Sequence, residues 1–221
     1  MTKQEELYGA VRKIAWGYIL IHAHFNLGTL DVLPDWAGYY LMYAALPILT
    51  QEDETAKLLR PLGLGLTIWS GIDWVLKLVG ASIGGFGYML SMVVSIVALY
   101  FHFQLLTNLA SIAEEYGCPE SGRLLQLRNV RTVLATVAAV LVYWIEANSL
   151  GGALTVILAL SQLVVVIWLC SVLFALSKSL LEGEVLEDEG EYSDEDQDAA
   201  DGADAEKPVD GDDGEEEDAE E

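Results

Sequence analysis

Between residues 11 and 181 the sequence is a succession of apolar runs longer than the core of a soluble domain requires. Six can be marked off, at residues 11–27, 36–49, 61–80, 86–113, 130–147 and 151–181. The hydrocarbon layer of a bilayer is ~30 Å thick and asks for ~20 apolar residues per helix. Every backbone polar group in that layer needs an internal partner, so the runs should be helices. A transmembrane barrel would show short alternating segments instead, and the sequence has none. The expectation is an all-α polytopic transmembrane helical bundle of about six spans, with the lipid bilayer as its surroundings. The second run, only 14 residues long, covers ~21 Å as a helix. It either recruits residues 50–55, thins the bilayer or forms a re-entrant hairpin with the first.

Charge divides the chain in two. Of the 34 acidic residues, 22 follow Leu181, where Lys207 is the single basic residue. The segment 182–221 also lacks apolar periodicity, so it cannot bury enough surface to offset the entropy of ordering and is expected to be a disordered acidic tail. Such a tail is either simply solvated, or docks a basic protein partner, or loosely binds divalent cations. It has no EF-hand spacing. The sparse basic residues and the acidic tail oppose nucleic-acid binding.

The ten basic residues before the tail fix an orientation. Lys3, Arg12 and Lys13 precede the first run, and Lys57 and Arg60 lie between the second and third. Arg123, Arg128 and Arg131 lie between the fourth and fifth, and Lys178 ends the sixth; only Lys77 falls on the opposite side. Cytoplasmic loops carry the excess of Lys and Arg, so the N- and C-termini should both be cytoplasmic. The first apolar stretch has no small-residue cleavage site, so a removable signal peptide is not expected. Trp16, Trp36, Trp69, Trp74, Trp144 and Trp168 read as interface anchors and lipid contacts.

Polar side chains inside spans are costly and often functional. His22 and Asn26 are four apart and would share a helix face, leading into Asp31 and Asp35. Asp73 and Lys77 are also four apart, in the favoured acid-before-base order for a helical ion pair. His102 lies within the fourth run with Gln104 and Asn108. Interhelical hydrogen bonding, a structural ion pair, a proton or metal relay and a solute-binding role all remain open for this set. Cys118 and Cys170 suit neither a disulfide nor a metal motif. No phosphate-binding glycine loop, H-E-x-x-H, G-x-S-x-G or cysteine cluster is present, so neither a cofactor nor an enzymatic activity is expected.

The stretch Lys13-Ile14-Ala15-Trp16-Gly17-Tyr18, followed by Asn26-Leu27-Gly28 and Asp31-Val32-Leu33-Pro34-Asp35-Trp36-Ala37-Gly38-Tyr39, resembles the N-terminal segment of a family of small, uncharacterised multi-pass membrane proteins of Gram-positive, largely anaerobic bacteria. The resemblance covers about 30 of the 221 residues and implies a bacterial plasma membrane location, without a function. The residues themselves read as a well-specified outer hairpin. Pro34 suits a helix start, Asp35 favours the positive end of the helix, and Gly38 permits close backbone approach. Three functions follow as expectations: a non-catalytic accessory or scaffold component, a small transporter or channel using intramembrane Asp and His, and a membrane enzyme whose polar residues converge on one cavity.

Overall fold

The computed structural model describes residues 2–22, 26–27, 30–31, 35–81, 84–145 and 151–201; side chains are described for these except at 26, 27, 30, 31, 85, 86, 88, 142–145, 151–153 and 182–201. Six α-helices account for nearly all of it: α1 Lys3–His22, α2 Asp35–Glu52, α3 Leu59–Leu78, α4 Gly84–Glu115, α5 Ser121–Ile145 and α6 Gly151–Asp201. A 3-10 turn, Glu54–Leu58, joins α2 to α3. Two-residue strands β1 (Asn26–Leu27) and β2 (Leu30–Asp31) pair antiparallel between α1 and α2, with Asn26 opposite Asp31. The chain divides into two compact units, Met1–Gly183 and Glu184–Glu221, close to the boundary that charge alone marks. The second unit falls where composition predicts disorder. Its residues 184–201 are helical in backbone, in keeping with the helix propensity of glutamate and alanine, and residues 202–221 lie outside the described part.

Helix boundaries correct two expectations. The first apolar run predicts a helix over 11–27, but α1 starts eight residues earlier and stops at His22. The early start follows from a capping box. The Thr2 hydroxyl accepts from the Glu5 amide at 3.3 Å, and the Glu5 carboxylate accepts from the Thr2 amide at 3.1 Å, satisfying donors a helix start leaves orphaned. Because α1 ends at His22, Asn26 belongs to β1 and does not share a helix face with His22. The second correction concerns the stretch between the fourth and fifth runs. There α5 begins at Ser121, so Arg123 and Arg128, which precede the fifth run, are helical residues together with Arg131, not loop residues. The short second run does extend, as α2 reaches Glu52 and Asp35 lies in its first turn. Its 18 residues span ~27 Å.

Two helix ends show why they stop. Gly117 (φ 64°) follows α4, with the Cys118 amide donating to the Ala113 carbonyl at 2.7 Å and the Gly117 amide to Glu114 at 3.1 Å. Gly80 (φ 67°) ends α3 in the same way, through Ala81 to Leu76 at 2.9 Å and Gly80 to Lys77 at 3.2 Å. Both are Schellman motifs, which need a left-handed residue that glycine supplies without steric cost.

The core of the first unit is built on α1. Its buried Leu7, Ala10, Val11, Ile14, Ala15, Tyr18 and Ile21 follow the three-and-four spacing of one helical face. That face packs on Met42, Leu46 and Leu49 of α2, while α2 also packs along α3 and α4 along α5. At the α1–α2 crossing Gly17 and Gly38 meet. A Cβ on Gly38 would lie 2.6 Å from the Gly17 carbonyl oxygen, and one on Gly17 would lie 2.8 Å from the Gly38 carbonyl oxygen. In a bilayer, where apolar burial between helices gains little, such close backbone packing is a main source of association.

The other half of the long helices is not buried. Met89, Met92, Val93 and Ile96 of α4, Val133, Val137 and Val140 of α5, and Val156, Ile157, Leu160 and Val164 of α6 are all exposed. Among the described residues, three helices are long and apolar enough to cross a membrane: Met89–Glu115, Ser121–Leu141 and Leu154–Leu181. At the opposite end, where α1 begins and α2 and α4 finish, the buried Glu52 carboxylate accepts from Lys3 Nζ at 3.0 Å and from the Tyr116 hydroxyl at 3.1 Å. The hydrogen bond and charge of Glu52 raise the Lys3 pKa above its ordinary value. Burial first, and the Glu52 charge next, raise that of Tyr116.

The glycine crossing yields a prediction. Gly38→Ala forces backbone apart and should cost about 1–3 kcal/mol, read as a lowered unfolding temperature in mild detergent. Gly9→Ala, with no heavy atom within 4 Å of its added Cβ, should be neutral or stabilise by about 0.5–1 kcal/mol. Equal effects at the two sites would show that the crossing is not tight.

Candidate functional site

A cavity of about 250 Å³ opens where α1, α2, α4 and α5 come together. Helix α4 contributes Ser95, Ala98, Leu99, His102, Phe103 and Leu106, and α5 contributes Arg128, Arg131, Thr132 and Ala135. Each set has the spacing of a single helix face, so two regular helices suffice to build opposite walls. Ile21 and His22 close it from α1 and Tyr39 from α2.

Arg131 is the central polar group. It is 8% exposed, and its guanidinium lies 4.9 Å from the centroid of the Tyr18 ring, with Nη1 donating to the Tyr18 hydroxyl at 3.3 Å. Its Nε–H is buried without a hydrogen-bond partner. Among the described residues no carboxylate forms an ion pair with it. One helical turn earlier, Arg128 stacks 4.5 Å from the Phe103 centroid; its Nη1 donates to Thr107 Oγ1 at 3.1 Å, and its Nε and Nη2 to the Asn129 side-chain oxygen. Arg128 likewise forms no ion pair among the described residues. A buried guanidinium is normally matched by a carboxylate, because desolvation costs several kcal/mol per ion. Here the only compensation from described side chains is an aromatic face, a phenol and hydroxyl or amide oxygens.

His102 sits against the same phenol. Its Nδ1 is 3.1 Å from the Tyr18 hydroxyl, and its ring lies 5.1 Å from Tyr18, 5.8 Å from Tyr39 and 5.6 Å from Phe101, centroid to centroid. Tyr18 therefore serves two partners from one oxygen. His22 Nδ1 lies 3.0 Å from the Tyr18 carbonyl in its own helix. It borders both this cavity and a second, apolar one of about 370 Å³ between α1 and α6, where Cys170 and Phe174 lie.

Of the residues singled out from sequence, His22 and His102 line the arginine cavity, and Asp35, Asp73 and Lys77 do not. Asp73 and Lys77 form the expected pair at 2.7 Å on a largely exposed stretch of α3. Asp35 starts α2. Asn26 and Asp31 are placed in backbone only, as partners in the β1–β2 pairing. Among the described residues, no three of His, Cys, Asp and Glu converge as metal ligands. Asn108, buried in α4, takes the amide orientation in which its oxygen accepts from the Ala56 amide at 2.8 Å and from Thr55 Oγ1 at 3.1 Å. It thus ties the 3-10 turn to α4.

Arg128, Arg131, Tyr18 and Tyr39 are site residues that the sequence reading passed over. The available signal was the i, i+3 spacing of Arg128 and Arg131 at the edge of an apolar run, which counts equally well as a topological signal. Glu120 is a further buried polar group, at the α4–α5 turn. Its Oε1 accepts from Ser179 Oγ at 3.2 Å, while Oε2 has no partner. Beside it, burial above all, and the Glu120 charge, push the Cys118 thiol above its ordinary value, which keeps it protonated and weakly nucleophilic.

The fold and site define a helical protein with three membrane-length apolar helices and a cavity carrying two arginines. No protein-family model matches the chain, and neither curated proteins nor solved structures give a match.

Tyr18→Phe should be costly, because it leaves Arg131 Nη1 and His102 without their shared oxygen. A loss of about 1–3 kcal/mol is expected, measured as unfolding free energy in mild detergent. Tyr40→Phe, at an exposed position on α2, should change it by less than about 0.5 kcal/mol.

Proposed function

We propose that this chain is a multi-pass protein of the bacterial plasma membrane, crossing six times with both termini cytoplasmic, and that it serves as a non-catalytic accessory or scaffold component. The observation that carries the membrane part is the band of exposed Met, Val, Ile and Leu on α4, α5 and α6, a surface that suits lipid and not water. Helices α1, α2 and α3 provide the remaining spans. The basic residues set the orientation, nine of the ten before Leu181 falling on one side of such a topology. The resemblance of the N-terminal segment supports a bacterial plasma membrane. The accessory role draws on the acidic segment 182–221, which offers a docking strip for a basic protein partner or a loose store of divalent cations.

Reporter fusions test the topology. Reporters after residues 55, 119 and 181 should be active only in their cytoplasmic form, and reporters within 28–34 and 146–150 only in their external form. An external signal after residue 181 would overturn the six-span reading, and repeated purification from gentle detergent without a partner would count against the accessory role.

A second reading, a small transporter or channel, is favoured by the cavity itself. Its charged and titratable lining includes arginine and histidine beside Tyr39, Ser95 and Thr132, and not the Asp73 carboxylate, which is held by Lys77. Flux of an ion or solute into proteoliposomes should then fall on Arg131→Gln and persist on Asp73→Asn; no flux at all would remove this reading.

A further inference from the structure

The arginine cavity has more positive charge than its own side chains balance. Its lining contains two guanidiniums and two histidines and, among the described residues, no Asp or Glu. Arg128 and Arg131 are one helical turn apart, so they also repel each other. We propose that this cavity binds a phosphate-bearing anion, held by Arg128 and Arg131.

Three observations meet here. First, Arg131 lines the cavity and is buried with no carboxylate partner among the described residues, although a buried charge left without a counter-charge is costly. An oxyanion supplies that counter-charge. Second, guanidinium groups match phosphate oxygens in paired, charge-assisted hydrogen bonds. The existing contacts of both arginines go to Tyr18, Thr107 and Asn129, which are neutral, so neither is already neutralised. Third, the cavity has room for about eight waters at ~30 Å³ each, and its remaining walls are largely apolar, Ile21, Ala98, Leu99, Phe103, Leu106 and Ala135, with Tyr39, Ser95 and Thr132 between them. Charge at one side and hydrocarbon around it suit a polar phosphate joined to an apolar body.

A lipid headgroup and free phosphate present the same chemistry. Arg131 lies ten residues into α5, ~15 Å along its axis, in the half that the topology places toward the cytoplasm. Basic pockets between spans on that side are suited to anionic headgroups. The lipid source rests on the membrane reading above; the free-phosphate source does not.

Full-length protein, purified in mild detergent, provides the test in two arms. One reconstitutes it in nanodiscs and compares retention of phosphatidylglycerol with phosphatidylcholine by native mass spectrometry. The other measures binding of radiolabelled inorganic phosphate. Saturable binding in at least one arm is expected, and which arm responds tells headgroup from free phosphate. Arg131→Gln and Arg128→Gln should each weaken it about tenfold or more. Arg123→Gln, at an exposed residue outside the cavity, should leave it unchanged. Where Arg131→Gln does not fold, Arg128→Gln and Ser95→Trp, which blocks an exposed position on the cavity rim, carry the test. No binding in either arm, or binding that Arg128→Gln and Ser95→Trp leave intact, overturns the proposal. Failure of the membrane reading would show separately, as release of the protein from membranes by alkaline carbonate.

Discussion

The backbone contact between Gly17 and Gly38 is the constraint on which the rest of the first unit depends. With carbonyl oxygens closer than 3 Å to where either Cβ would sit, α1 and α2 approach as near as two helices can. The residues after these glycines are Tyr18 and Tyr39, and both rings meet His102. Close approach of the first two helices thus fixes the aromatic floor against which α4 and α5 pack. A side chain at either glycine would do more than loosen one interface. It would lift Tyr18 away from Arg131, which depends on that phenol for its one buried hydrogen bond.

That dependence explains how the protein tolerates a cation in its core. The usual solution, a carboxylate partner, appears elsewhere in the molecule: Glu52 meets Lys3 where α1 begins and Asp73 meets Lys77 on α3. Around Arg131 the solvating groups are instead polarisable or neutral. A Tyr face and hydroxyl offset part of the desolvation cost, and they leave a net charge that a fixed carboxylate would have cancelled. A site built this way retains attraction for a diffusible anion, whereas a closed ion pair does not.

Much of the fold was legible because lipid makes simple demands. Long apolar runs pointed to helices α4, α5 and α6, and the acid run begins within a few residues of the second unit. The Asp73–Lys77 pair was readable from spacing alone. The boundaries that failed did so for local reasons. The Thr2–Glu5 capping box starts α1 in polar sequence where hydropathy is silent, and the Asn26–Asp31 pairing puts Asn26 in a strand inside an apolar stretch. The candidate site was half legible. His22 and His102 stood out as rare polar residues among apolar ones. The tyrosines and arginines did not, because Tyr near a membrane reads as an anchor and Arg near a span reads as a topological signal. Their convergence comes from four helices meeting, and one-dimensional spacing records only the faces of each helix separately.

Arg131 then carries two meanings that have to be reconciled. If it is an interior residue, counting it among the charges that hold a loop in the cytoplasm is double use. Removing it still leaves eight of nine basic residues before the tail on one side of a six-span topology, so the orientation does not rest on it. Nor do the two roles conflict in space. Arg128 and Arg131 lie seven and ten residues past the first residue of α5, within ~15 Å of its start, which under the proposed topology keeps a long side chain in the cytoplasmic half of a ~30 Å hydrocarbon layer. Under the proposed topology, burial at that depth is what converts an ordinary positive-inside residue into the unbalanced charge of the cavity.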